Sequence, residues 1–337
     1  MINIGLIGNG GIAGVHLASY SKLAEEAGVI AICDIIPERA QGSAALVGTN
    51  LGIAGGAVHA AKAYTEYRDL IADPDVQAVD LCLPTDIHAE VAIASLEGGK
   101  HVLCEKPMAL TVDQCDRMIA AAQASGRVLM IAQCIRFWPE YVYLKEVMQS
   151  GTYGKLTSAV FSRLSGRPNW APDSWYLQAA RSGGAVQDLH IHDADFILYL
   201  LGKPAAISVQ GRQHGERIDF LSVQYQYDDV ESVRAEGGWD FPSSFPFHMS
   251  FLLRFEGATV EYDSARCPLT VYPASGESFM PELAQEDAYT REIGYYLDCI
   301  AKHEKPSIVT PQDARESVRL VRAEAEAFNS GKTVSYH

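Results

Sequence analysis

Paired cysteines are missing from this chain of 337 residues. Its seven cysteines are scattered, and no C-x-x-C occurs. An odd count without paired spacing argues against a disulfide framework or a zinc knuckle and suits a reducing cytoplasm. Basic charge is also scarce, with 27 Lys and Arg against 42 Asp and Glu and a net charge of −15. Nucleic acids and anionic membrane surfaces are bound through basic patches, so neither is expected as a partner. No apolar run is long enough to span a bilayer. The chain opens on an apolar run, Ile2-Asn3-Ile4-Gly5-Leu6-Ile7, without a basic leader or a cleavage site, so no secretory signal is expected. Internal repeats and low-complexity segments are absent. What is present is an ordinary apolar content and enough length for two domains.

In the first third, short runs rich in Val, Ile and Leu fall at Ile2–Ile7, Val29–Cys33, Val76–Leu83, His101–Cys104 and Val128–Ala132. They are apolar almost throughout, as strands buried on both faces are. Helical patterns lie between them, including His88–Glu97 and Val112–Ser125. Such alternation predicts a doubly wound parallel sheet in an α/β domain over residues 1–132. Gly48, Gly52, Gly55 and Gly56 mark a flexible loop within it.

The turn after the first strand reads Gly8-Asn9-Gly10-Gly11-Ile12-Ala13. This is G-x-G-x-x-A, an allowed form of the dinucleotide fingerprint. Gly8 permits the tight turn, Gly10 lets backbone approach a pyrophosphate, and Ala13 is small enough for close packing of helix on strand. Backbone N–H groups at the helix start then hold phosphate. Asp34 ends the second strand, roughly 20 residues on, where a carboxylate accepts the adenosine-ribose hydroxyls. It would repel a 2′-phosphate, and Ile35 rather than an arginine follows it, so NAD is favoured over NADP. Arg39 is a candidate contact on the adenine side, with a solvated helix residue as the alternative.

Lys106 closes the run His101-Val102-Leu103-Cys104-Glu105-Lys106-Pro107. A lysine at the carboxyl end of a strand in such a sheet projects into the crevice where ligands bind. An ordinary exposed lysine is the alternative, and the tripeptide alone does not separate the two.

Over residues 133–337 the pattern changes. A helix is expected at Pro139–Gln149, then alternating strands at Leu156–Arg163, Ala205–Gln213, Phe220–Tyr227, Glu231–Trp239, His248–Phe255 and Ala258–Tyr262. Alternation predicts an open, mostly antiparallel sheet in an α+β domain. Helices Tyr289–His303 and Pro311–Ser330 close the chain, with Thr310 as a cap. Chemistry concentrates in Gly183-Gly184-Ala185-Val186-Gln187-Asp188-Leu189-His190-Ile191-His192-Asp193-Ala194-Asp195. As a helix ended by Gly202, it puts Asp188, His192 and Asp195 on one face and turns His190 elsewhere. Asp188-Leu189-His190-Ile191-His192 also matches the D-x-H-x-H signature of metal-dependent amidohydrolases. Their ligands sit on a barrel that takes about 250 residues, more than remain after Asp188, and the glycine fingerprint would go unexplained. No metal is expected; the cluster reads as a catalytic acid/base pair, with solvated helix residues as the alternative. Trp170, Trp175 and Tyr176 could cover the apolar face of a sugar. Arg163 and Arg167 could meet its hydroxyls.

Longer motifs join these pieces. Ala78-Val79-Asp80-Leu81-Cys82-Leu83-Pro84-Thr85-Asp86-Ile87-His88 leads to Gly98-Gly99-Lys100-His101 and on to Glu105-Lys106-Pro107. Asp188 and His192 form a D-x-x-x-H, and Pro311-Gln312-Asp313-Ala314 and Phe328-Asn329-Ser330-Gly331-Lys332 follow near the end. Over essentially its whole length the chain resembles the Gfo/Idh/MocA oxidoreductases, which act mostly on sugars and cyclitols. The resemblance implies a Rossmann domain followed by a larger α/β domain whose open sheet forms a homo-oligomer interface. It implies that Lys106 and His192 flank the reacting hydroxyl with Asp188 beside them, and that Glu105 contacts the nicotinamide-side ribose. Pro84, Thr85 and His88 would line the cofactor cleft together with Lys106. Members differ in whether Lys or His is the principal base, so that assignment stays open. His190 stands where the family usually has glycine and is expected to add a polar group near the substrate. Two rivals to a sugar or polyol dehydrogenase remain: a glycoside-cleaving relative that oxidises transiently, and a non-catalytic NAD-binding sensor.

Overall fold

The computed structural model describes residues 1–41, 61–169 and 172–337. The glycines Gly48–Gly56 and Trp170 lie outside the described residues. The chain divides into two compact units, residues 1–137 with 286–315, and residues 138–285 with 316–337.

The first unit alternates β1 (Ile2–Ile7), α1 (Gly11–Lys22), β2 (Ala27–Cys33), α2 (Pro37–Ala40), β3 (Lys62–Tyr64), α3 (Tyr67–Ala72), β4 (Ala78–Leu81), α4 (His88–Glu97), β5 (His101–Glu105), α5 (Val112–Ser125) and β6 (Leu129–Ala132). Its strands are all parallel, in the order β3-β2-β1-β4-β5-β6. The central strands β1, β4 and β5 are buried along most of their length, as their apolar runs predict. β3, three residues with two exposed, carries no such run and is invisible in the pattern. α5 starts on a capping box between Thr111 and Gln114. Strand order reverses between β1 and β4, so a crevice opens beyond their carboxyl ends, where ligands bind in sheets of this kind.

In the second unit, α6 (Pro139–Ser150) leads to β7 (Leu156–Gly166), α7 (Ala179–Ser182), α8 (Ile191–Leu201), β8 (Ala206–His214), β9 (Arg217–Gln226), β10 (Ser232–Phe241), β11 (His248–Phe255), β12 (Ala258–Asp263) and β13 (Cys267–Pro273). The chain ends with α9 (Ala288–Lys302), α10 (Pro311–Ser330) and β14 (Val334–Ser335). The sheet runs β13-β12-β11-β7-β10-β9-β8-β14 and is antiparallel except where β7 meets β10. One face carries Phe161 and Phe251, packed with Tyr141 of α6 and Phe196 of α8. Tyr141 meets Phe196 edge-on with centroids 4.8 Å apart; such pairs contribute about 0.5–1.5 kcal/mol beyond area burial.

A boundary after residue 132 would leave α9 in the second domain, but α9 packs within the first unit. Thr290 Oγ1 donates to Ser19 Oγ on α1 at 3.2 Å, and Lys22 Nζ reaches Asp287 at 2.6 Å. Chain order conceals this return, because α9 follows the second sheet directly.

Gly237 of β10 faces His190: an added Cβ would stand 2.6 Å from His190 Cβ and 2.7 Å from Nδ1. Neither atom can swing aside as the end of a long side chain could. Gly237→Ala is therefore expected to destabilise the protein by about 1–3 kcal/mol, the usual cost of overpacking. The check is urea unfolding, where an unchanged midpoint would mean this contact is not tight.

Candidate active site

The turn after β1 is held by a close crossing. Gly8 has φ +89°, and a Cβ there would lie 2.4 Å from the Cys82 carbonyl oxygen. Only glycine fits both the left-handed backbone and that approach. Gly10 caps α1 with no side-chain hydrogen bond, and a Cβ on it would meet nothing within 4 Å. The helix start is thus open, and its first N–H groups have no capping side chain. Gly11 and Ile12 are half-buried in the first turn. Ala13 is buried with Leu6, Leu17 and Ile32, which seats the helix on the sheet. These features fit a dinucleotide pyrophosphate.

Asn9 ties this turn to the segment after β2. Its backbone N–H donates to Asp34 Oδ2 at 2.9 Å, and its side-chain amide donates to the Arg39 carbonyl at 2.8 Å. Asp34 Oδ1 accepts from the Ile36 N–H at 2.9 Å. Each carboxylate oxygen keeps a second acceptor direction for a ribose hydroxyl. Ile35 is 87 % exposed and offers no cation for a 2′-phosphate. Arg39 is half-buried on α2.

Pro84 is half-buried and Thr85 buried in the turn after β4. His88, expected to line the cleft, is wholly buried. Its ring nitrogens sit 2.8 Å from the Leu83 and Pro107 carbonyls, so it staples the end of β4 to the turn after β5. Burial lowers its pKa below the ordinary value, although both carbonyls oppose this. A neutral ring donates to one of them at a time.

Glu105 ends β5. Its Oε2 accepts the Lys106 N–H at 3.0 Å, and its Oε1 lies 3.1 Å from Nε2 of His16 on α1. The other nitrogen of His16 is 2.8 Å from Asp80 Oδ2 on β4. Burial alone would lower the His16 pKa and raise that of Glu105. Burial is the largest single influence on each. The charges and hydrogen bonds of Asp80 and Cys82 together outweigh it at His16. The His16 hydrogen bond and charge, with the charges of Lys106 and His88, together outweigh it at Glu105. His16 is thus raised well above its ordinary value and Glu105 held below its own. Lys106 itself is half-buried.

The donor atoms of His16, Asp80 and Cys82 lie within 4.8 Å of one another. Two ligands on one zinc, bonded at about 2.0 Å, stand roughly 3.3 Å apart. The 2.8 Å contact of His16 with Asp80 is a hydrogen bond instead. Facing this group from α9 is Glu292, fully buried with neither carboxyl oxygen hydrogen-bonded. Burial first, then the negative charges of Glu105 and Asp80, push its pKa well up. The network is absent from the motif reading, yet it left a trace: a carboxylate inside the buried strand Ala78–Leu81 demands a partner.

In the second unit, Asp188 sits in a π-helical turn, Val186–His190, that runs directly into α8. Asp188 is buried and His192 half-buried. Gly183 and Gly184 both have positive φ, and a Cβ on Gly184 would meet the Ile218 carbonyl at 2.9 Å, which fixes the entry to the turn. Asp195, placed on one face with Asp188 and His192 by helical spacing, instead accepts from Ser317 Oγ at 2.7 Å in the interior.

Two candidate substrate contacts lie in the interior. His190 is fully buried, with Nε2 3.2 Å from both Tyr225 Oη and Glu324 Oε2, while Tyr225 donates to Glu324 Oε1 at 2.8 Å. Arg163 is buried in a two-pronged pair with Asp193 at 3.0 and 3.1 Å. Both side chains are held in the core of the second unit. Trp175, half-buried, stacks on Tyr176 with centroids 3.9 Å apart, and Tyr176 meets Trp239 edge-on.

Residues 2–133 match the model of the oxidoreductase family with an NAD-binding Rossmann fold, and residues 141–267 match the Gfo/Idh/MocA C-terminal domain. The chain belongs to the Gfo/Idh/MocA family. It is 31 % identical over 214 residues to levoglucosan dehydrogenase of Pseudarthrobacter phenanthrenivorans, covering 61 % of this chain and 53 % of that one. It is 33 % identical over 202 residues to myo-inositol 2-dehydrogenase of Thermotoga maritima, covering 60 % and 55 %. The match thus spans about half the length of these curated relatives. A solved levoglucosan dehydrogenase, in complex with NADH and levoglucosan, superposes with a TM-score of 0.84 over 99 % of both chains at 22 % identity, a likeness of fold.

The sign of the Glu292 shift has a measurable consequence. A carboxyl protonated in the folded state and ionised in the unfolded one lowers stability as pH rises. The loss starts at the ordinary value, about pH 4.3, and runs at about 1.4 kcal/mol per pH unit until the folded value is reached. Glu292→Gln removes that loss. Denaturant melts at pH 4 and pH 8 should show the variant gaining on the wild type at pH 8 only. An equal difference at both would refute a protonated Glu292.

Proposed function

We propose that this chain is an NAD-dependent oxidoreductase acting on a secondary alcohol, or the corresponding ketone, of a sugar, cyclitol or related polyol. The observation that carries the reading is the turn Glu105–Lys106. It follows β5 in the same unit as the open dinucleotide cradle, with its backbone tied to a buried carboxylate. The names of the two curated relatives support the substrate class. Gly8–Ala13 and Asp34 hold the cofactor, and the lack of a cation after Asp34 favours NAD over NADP. Pro84, Thr85 and Glu105 complete its environment.

When bound, the nicotinamide supplies the hydride acceptor or donor. The protein supplies the proton path. His192 takes the hydroxyl proton, an imidazole ordinarily titrating at about pH 6.5. Lys106 donates to the developing alkoxide. Asp188 orients His192 or a neighbouring hydroxyl, and Trp175 contributes an apolar wall to the substrate. The working form is a cytoplasmic homo-oligomer. Its interface is the open face of the second unit's sheet, where Leu252 and Tyr272 are exposed. Seven free thiols suit a reducing compartment.

A panel of free sugars, inositols and polyols scored by NADH absorbance tests the reading. Turnover with net NADH is expected for at least one class. Lys106→Ala and His192→Ala should each lower kcat by roughly 10²–10⁴-fold while NAD binding persists. Near-wild-type turnover in both variants would remove these residues from the chemistry. Glycoside cleavage without net NADH would replace the dehydrogenase by its redox-neutral counterpart.

A further inference from the structure

The catalytic lysine is not anchored by its own strand alone. Behind it, His16 on α1 lies between Asp80 of β4 and Glu105 of β5, at 2.8 and 3.1 Å, with all three side chains buried. A neutral imidazole has one N–H and can satisfy only one of two carboxylates. The other would then face a lone pair in the interior, and an unpaired buried charge is strongly destabilising. With both nitrogens protonated, the ring donates in both directions. Glu105 is left with Oε2 free of His16, and that oxygen takes the Lys106 N–H.

The groups around the ring favour this form. Asp80 and Cys82 face it from β4 and the residue after it, with Cys82 Sγ 3.6 Å from Nδ1. Glu105 faces it from β5. From α9 come the Tyr289 ring, its centroid 6.1 Å away, and Glu292; Tyr20 of α1 lies beside Asp80. His16 is the single cation among these groups.

We propose that His16 is a positioning residue: its ring bridges Asp80 and Glu105 and so holds the Glu105 carboxylate against the Lys106 amide, fixing the turn from which Lys106 works. This rests on Lys106 acting in the reaction. Asp80 acts at one further remove, by orienting His16. Misplacing a reacting group by about 1 Å costs about 10²-fold in rate, so loss of the bridge should appear in kcat rather than in substrate KM.

Two measurements test this. In the wild type, histidine-selective nitrogen-15 NMR at pH 8 should show a doubly protonated ring whose signal vanishes in His16→Gln. A spectrum of neutral rings alone overturns the proposal and needs no variant to fold. In kinetics at saturating NAD, His16→Gln should lower kcat by about 10²-fold with KM nearly unchanged. Asp80→Asn should lower it less, and the double variant should be no worse than His16→Gln, because coupled residues are not additive. A kcat within twofold of wild type in Asp80→Asn and His16→Gln, or losses that multiply in the double variant, would reduce His16 to a structural role. If His16→Gln does not fold, Asp80→Asn and the ring spectrum decide. Retained turnover in Lys106→Ala would remove the catalytic reading while leaving the ring spectrum intact, so the two ideas fail separately.

Discussion

An ionised carboxylate costs several kcal/mol to bury even after the protein relaxes. Among the carboxylates buried in the first unit, Asp80 and Glu105 stand on neighbouring parallel strands beside one imidazole. That arrangement holds only while the helix carrying the imidazole keeps its register on the sheet. α1 is the same helix that starts after Gly10 with no side-chain cap. Helix register, the turn at Lys106 and the cradle at Gly10 are therefore set together. α9 closes the arrangement from the far side and brings Glu292, a third carboxyl, whose pKa burial pushes well up.

The second unit applies the same chemistry for a different end. Arg163 pairs with Asp193, His190 with Tyr225 and Glu324, and Asp195 with Ser317. All of these face inward around α8. The π-helical turn at Val186–His190 inserts an extra residue per turn just before α8 begins, so residues before and after it do not follow one α-helical face. Asp188 and His192 bracket that shift. The polar residues between and beyond them, His190, Asp193 and Asp195, are committed to the core.

Much of the architecture was legible because apolar period and length report burial directly. β1, α4, α5, β11 and α10 fall where their patterns place them. The glycine fingerprint was legible for a related reason: Gly8 answers a steric demand that only one residue type meets. The partners of the buried polar residues were not legible, for a shared reason. A histidine or arginine in a motif looks the same in sequence whether it faces a ligand or a buried carboxylate, and the carboxylates concerned lie far along the chain. Glu324 is 134 positions from His190, and Glu105 is 89 from His16. Gly237 on β10, which makes room for His190 in the fold, lies far from it along the chain as well.

Asp34 shows how selectivity and architecture merge in such a site. Its carboxylate meets the functional requirement for a ribose acceptor that excludes a 2′-phosphate. Both of its oxygens also accept backbone N–H groups, one from Asn9 inside the fingerprint turn and one from Ile36. The carboxylate is therefore also the brace of the fingerprint turn. Replacing it with a neutral residue would remove the repulsion of a 2′-phosphate and at the same time release the Asn9 N–H. Hydrogen bonds to charged groups are each worth about 1.5–3 kcal/mol, comparable with the selectivity such a change would seek. A substitution at Asp34 thus acts on the geometry of the whole turn as well as on the charge it presents.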